Sequence, residues 1–124
     1  MKAAIIVYSD PKHGGEEALG RLFNALAAAY DFKQAGKEVA IYFQGTGTRW
    51  AGVVGDPSHP VHGLHGAVAD TVAGVSCGCA DVFGAREDAE KNGFDLITDN
   101  NVPGTSGLPS IAQLSEQGYT IFSF

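Results

Sequence analysis

The only two cysteines of this 124-residue chain stand one glycine apart, Cys77-Gly78-Cys79. They fall where the apolar stretch Val72-Ala73-Gly74-Val75 gives way to a helix start. A thiol placed there lies at a strand end and near the positive end of a helix dipole, and both features favour the nucleophilic thiolate. Gly74 and Gly78 open space around the sulfurs rather than filling it. A bridge between residues two apart closes a small, strained ring, so any such disulfide is expected to be labile rather than structural.

Other residue patterns bear on chemistry more weakly. The loop Ser9-Asp10-Pro11-Lys12-His13-Gly14-Gly15 lacks the spacing of a dinucleotide fingerprint and the Gly-Lys-Ser/Thr ending of a P-loop. The run Gln44-Gly45-Thr46-Gly47-Thr48-Arg49 could hold an anion through backbone N–H groups and a guanidinium fork. His59, His62 and His65 recur every three residues, which spreads their rings over about 120° of a helix. Three imidazoles so spread cannot share one ion, and His65 falls on an apolar stripe where a hydrogen-bonded core histidine is expected. Neither a metal nor a cofactor is expected.

These residues need a scaffold. A chain of this length, with 44% hydrophobic residues and a mean hydropathy of −0.01, reads as one soluble domain spanning residues 1–124. Eight basic against fourteen acidic residues leave a net charge of −6 without a Lys/Arg cluster, which disfavours direct nucleic-acid binding. Apolar runs are too short for a membrane span, and residues 3–8 are too short for a signal-peptide core, so a cytoplasmic location is expected.

Residues 3–8 are almost wholly apolar, as in a strand buried on both faces. Leu19, Leu22, Phe23, Leu26, Tyr30 and Lys33 then follow helical spacing, with Gly36 as a C-terminal cap. A second strand covers 38–43, a glycine- and threonine-rich loop 44–58, and a helix runs from Pro60 to Val72. A short strand at 74–76 leads into a cysteine-bearing helix through Phe83, and 86–91 adds a helical turn or two. Strands at 94–98 and 119–124 flank a helix at 109–117. The alternation predicts an α/β fold, three layers α/β/α around a mostly parallel sheet of about five strands. Ligands of such sheets bind outside the carboxyl ends of the strands. That edge collects Ser9, Asp10, Gly45, Thr46 and Arg49 as candidate binding residues, with Ser76 and Gly78 beside Cys77 and Cys79.

The order of motifs resembles the DsrE/DsrF-like family of small α/β proteins. The similarity runs through Ile5-Ile6-Val7, Val75-Ser76-Cys77-Gly78-Cys79-Ala80-Asp81, Phe83-Gly84 and Ile121-Phe122-Ser123-Phe124, with Asp56 to Leu64 similar to a stretch in uncharacterised members. The resemblance implies a sulfur carrier or sulfurtransferase-like protein that holds persulfide sulfur on a loop cysteine between donor and acceptor proteins. It also implies a homo-oligomer, trimer or hexamer. Many relatives carry Cys-x-x-Cys in this loop; aligning Gly84 places Cys79 on the second cysteine and Ser76 on the first, the sulfur-carrying position of the relay subunits. Either Cys77 replaces it after a one-residue shift, or the relay chemistry is lost. Helix onset at Cys79 would favour that thiol as nucleophile, with Cys77 as partner or resolving thiol. Ser76 and the following N–H groups would steady the thiolate, and Arg49 would add positive charge if its loop folds over the site. Trp50, Phe83 and the phenylalanines near the C-terminus exceed what so small a core must bury, in keeping with an interface. The rival expectations are a non-catalytic protein holding a small anionic or nucleotide-like ligand over the same edge, and an oligomeric interaction protein without chemistry.

Overall fold

The computed structural model describes residues 1–124. Its core is one five-stranded sheet with every strand pairing parallel, in the order β4-β3-β2-β1-β5. The strands are β1 (Lys2–Val7), β2 (Glu38–Phe43), β3 (Val72–Ser76), β4 (Leu96–Ile97) and β5 (Tyr119–Ser123). β1 lies between β2 and β5, and all of it but Lys2 is buried, which explains its unbroken apolar run. Ile5 pairs with Ile41 and Phe122, and Val7 with Phe43. Between β2 and β3 the register slips by one residue, Ile41 facing Val72 and Tyr42 facing Gly74, so Ala73 is the extra residue of a bulge. At Gly74 the backbone comes so close to the Asp95 carbonyl that a Cβ would collide with it.

Five α-helices join the strands: α1 (Gly15–Gln34), α2 (His62–Val68), α3 (Cys77–Val82), α4 (Arg86–Lys91) and α5 (Ile111–Glu116). A parallel strand pair needs a right-handed crossover, so successive steps in one direction stack their helices on one face. The cluster of 18 buried residues accordingly joins Ile5, Val7, Ile41, Phe43 and Val75 to side chains of α1, α3 and α4. Only the crossover from β4 to β5 runs the other way; it carries α5, whose buried Leu114 lies outside that cluster. The layers are therefore unequal, four helices against one.

α1 packs through Ala18, Leu22, Ala25, Leu26 and Ala29. The expected stripe through Phe23 and Tyr30 is rotated off the core, and both rings are exposed. Leu22 and Leu26 of that stripe are buried as expected, and Ala18, Ala25 and Ala29 complete the buried face in place of the two rings. Gly36 adopts φ +72° after α1, as a C-terminal cap requires. The glycine- and threonine-rich segment is not an open loop: Gly45–Gly52 forms a 3-10 helix. The helix expected to reach Val72 stops at Val68, followed by one 3-10 turn over Ala69–Thr71. Thr71 Oγ1 donates to the Val68 carbonyl at 2.7 Å there, and Val72 already belongs to β3. The fourth strand shrinks from 94–98 to Leu96–Ile97, and α5 starts at Ile111, where the Ser110 side chain caps it. No helix is long and apolar enough to cross a membrane.

Candidate functional site

α3 begins at Cys77, two residues earlier than the pattern suggested, because Ser76 is its N-cap: Ser76 Oγ accepts from the Cys79 N–H at 3.3 Å. Ser76 is wholly buried, so its side chain holds the helix start and does not face a ligand. Cys77 is 2% exposed and Cys79 is half-buried; both thiols are free.

The segment 105–108 straps Cys77 down. The Gly78 N–H donates to the Gly107 carbonyl at 2.7 Å. A Cβ on Gly78 would lie 2.9 Å from Leu108 Cδ1 and 3.2 Å from Thr105 Cβ, so only glycine lets the strap sit this close. Ser106 Oγ stands 3.1 Å from Cys77 Sγ and 2.6 Å from Asp81 Oδ2. Arg86 Nη1 donates to Asp81 Oδ1 at 2.8 Å, and Arg86 Nε to Glu90 at 3.1 Å. The Ser106 hydroxyl and then the Arg86 guanidinium hold the Asp81 carboxyl below the usual carboxylate range. Hydrogen bonds to Asp81 and Glu90, and then the nearby Cys77, raise Arg86 further above its ordinary value.

Cys79 lies on the other side, toward the end of β1. Burial, with the charge of Cys79 second, raises the Tyr8 hydroxyl above its ordinary value. The Tyr8 carbonyl accepts from Thr46 Oγ1 at 3.1 Å, and Gly45 lies against the Tyr8 ring. Tyr8, Gly45 and Thr46 therefore meet just past the end of β1. At the end of β2, one position past the Phe43–Val75 pair, Gln44 is 6% exposed and its Oε1 is buried without a protein donor.

Ser9, Asp10 and Arg49 form a separate group. Trp50 Nε1 donates to the Ser9 carbonyl at 2.9 Å and to Ser9 Oγ at 3.2 Å. Trp50 is 2% exposed, which corrects its expected place in an exposed aromatic patch. Arg49 does not fold over the cysteines. Its Nη1 donates to Asp10 Oδ2 at 3.0 Å, its Nε to the Phe83 carbonyl at 3.2 Å, and its guanidinium lies over the Phe83 ring. Arg49 thus meets α3 at its carboxyl end, with Lys12, Val53 and Asp88 lining a shallow cavity of about 280 Å³ beside it. For Asp10, burial pushes the carboxyl up, but the Lys12 N–H and Arg49 outweigh it and leave the group below its ordinary value.

The histidines stay apart. His59 Nδ1 accepts from the Val61 N–H, and His62 Nδ1 meets the Val54 carbonyl, each at 3.2 Å. His65 Nε2 is buried without a partner, in place of the expected hydrogen bond, and burial followed by His62 lowers its affinity for a proton. No three His, Cys, Asp or Glu side chains gather as metal ligands.

Fold and site together define a parallel α/β domain with a thiol pair where β3 passes into α3, one thiol strapped and one near the surface. The DsrE/DsrF-like family model matches residues 1–124, and the chain belongs to that family. No curated protein and no solved structure gives a significant match. The residues that sequence reasoning missed are Tyr8, Asp81, Arg86 and Ser106, while Gln44 entered only as the first residue of the 44–49 run. Only Asp81 carried a signal, its place in the cysteine segment; Ser106 lies 29 positions from Cys77 and met it only through folding.

Proposed function

We propose that this protein carries sulfane sulfur as a persulfide on Cys79 and passes it to a thiol of a partner protein. One observation supports the reading above others: in a DsrE/DsrF-like chain, a half-buried thiol stands at the carboxyl edge of a parallel sheet, two residues from a second thiol. In loading, the Cys79 thiolate attacks the terminal sulfur of a donor persulfide; the donor S–S bond breaks and its electron pair leaves on the donor thiolate. Unloading repeats the exchange, with the acceptor thiolate attacking the terminal sulfur on Cys79. Exposure favours Cys79 over Cys77 for both steps, because each needs in-line approach of a second sulfur. The decisive experiment is intact-mass and peptide analysis after exposure to inorganic polysulfide. The mass of one sulfur atom is expected on Cys79, retained in Cys77→Ser and lost in Cys79→Ser. A parent protein that gains no sulfur refutes the carrier function, and gain on Cys77 alone reverses the assignment.

A second reading, a binding module without covalent chemistry, is supported by the convergence of Tyr8, Gly45 and Thr46 at the carboxyl edge of the sheet. A ligand that stabilises the Cys77→Ser/Cys79→Ser double variant as much as the parent would support it.

A further inference from the structure

A cavity of about 280 Å³ opens where the loop after β1, the 3-10 helix and the first turn of α4 meet. Lys12, Arg49 and Asp88 line it beside the apolar Pro11, Val53 and Phe83. Its charged groups do not pair across the space. Arg49 commits two of its five N–H groups, one to Asp10 Oδ2 and one to the Phe83 carbonyl, and keeps three unused. Neither the Lys12 ammonium nor the Asp88 carboxylate enters an ion pair. We propose that this cavity binds a small zwitterion, an α-amino acid with an aliphatic side chain.

Backbone geometry sets the charges in place. Arg49 and Gly52 stand three apart in the 3-10 helix, so they share one face with about 6 Å of rise between them. Gly52 has no Cβ, and the Asp88 carboxylate occupies that room: a methyl there would lie 3.0 Å from Asp88 Cγ and closer still to Oδ2. A carboxylate therefore rests one helical turn from the Arg49 backbone. That spacing suits a ligand bearing an anion and a cation a few ångströms apart. Its carboxylate would turn toward Arg49 and Lys12, and its ammonium toward Asp88.

Charge and size narrow the class. With Asp10 beside Arg49, two cations stand with two carboxylates, so a ligand without net charge fits best. A phosphorylated ligand would meet Asp10 and Asp88, and a simple amine would meet Lys12 and Arg49. The volume lies below the about 300–1,000 Å³ of sites for drug-sized molecules, which keeps the ligand small. Phe83, Val53 and Pro11 offer apolar surface for its side chain, and the Arg49 guanidinium already lies over the Phe83 ring. Neither cysteine lines the cavity, so the inference stands apart from the carrier reading.

The test is calorimetric titration of the whole chain with three probes. They are L-leucine, 3-methylbutylamine, which lacks its carboxylate, and 4-methylpentanoate, which lacks its ammonium. Leucine is expected to bind at least about tenfold more tightly than either analogue. Asp88→Asn should bring leucine down to the affinity of 4-methylpentanoate. Lys12→Ala should weaken leucine and 4-methylpentanoate together and spare 3-methylbutylamine. Both side chains are exposed, so these variants are expected to unfold at the parent temperature. Gly52→Ala keeps every charge but displaces the Asp88 carboxylate, and should act like Asp88→Asn. Absence of leucine binding at millimolar concentration would overturn the proposal. So would 4-methylpentanoate binding as tightly as leucine, the mark of a plain anion site. Leucine affinity unchanged in both Asp88→Asn and Lys12→Ala would place the ligand elsewhere and overturn it too.

Discussion

Gly47→Ala is the sharpest structural perturbation near the site. Gly47 sits in the 3-10 helix after β2, pressed against the end of β1. A Cβ there would collide with the Val7 carbonyl oxygen and lie 2.9 Å from its carbon and 3.2 Å from Tyr8 Cα. All three are backbone atoms, and Val7 is fully buried between β2 and β5, so no side chain can swing aside. Relief requires the 3-10 helix to move off β1, which strains the 3.0 Å bond from the Gln44 N–H to the same Val7 carbonyl. Overpacking costs about 1–3 kcal/mol and the weakened hydrogen bond about 1 kcal/mol, against about 0.5–1 kcal/mol regained from the stiffer unfolded chain. The expected net loss is about 1–3.5 kcal/mol, read as a lower urea midpoint. The assay is built in: Trp50 is the only tryptophan, 2% exposed and bonded to Ser9, so its emission reports unfolding and displacement of this helix. A loss under about 0.5 kcal/mol with unchanged emission would refute the packing argument.

Gly63→Ala in α2 is the control: nothing lies within contact of the added methyl, and stability should rise by about 0.5–1 kcal/mol in the same titration. Ser76→Ala should cost about 1 kcal/mol by removing the cap of α3, measured by denaturation at neutral pH. Asp10→Asn should cost about 1 kcal/mol at neutral pH. Because folding lowers the Asp10 pKa, its contribution is present above the ordinary carboxylate range and fades as pH falls through the folded value; parent and variant curves should therefore converge in acid. Light scattering is expected to show a homo-oligomer, with the exposed Phe23 and Tyr30 of α1 as the aromatic surface available for it, and a clean monomer at micromolar concentration would refute this.

Much of this molecule could be read from residue order alone. The apolar run at β1, the alternation of strand and helix, and the cysteine pair at a strand-to-helix junction are local patterns, and hydrophobic burial with backbone hydrogen bonding turns them into the same parallel sheet. Family membership was legible for the same reason, since its motifs lie in those segments. Tertiary packing decided the rest. On α1, Ala18, Ala25 and Ala29 share the buried face with Leu22 and Leu26, while the larger Phe23 and Tyr30 are left exposed. Arg49 looked like a partner for a thiolate, but the only carboxylate it meets is Asp10, with the Phe83 carbonyl beside it, so its charge is drawn away from the helix start. Ser106 carried no signal in its own neighbourhood. It acquires one only when Gly78 and Gly107 let a distant strap lie against α3, setting one hydroxyl between a thiol and a carboxylate that compete for a single proton.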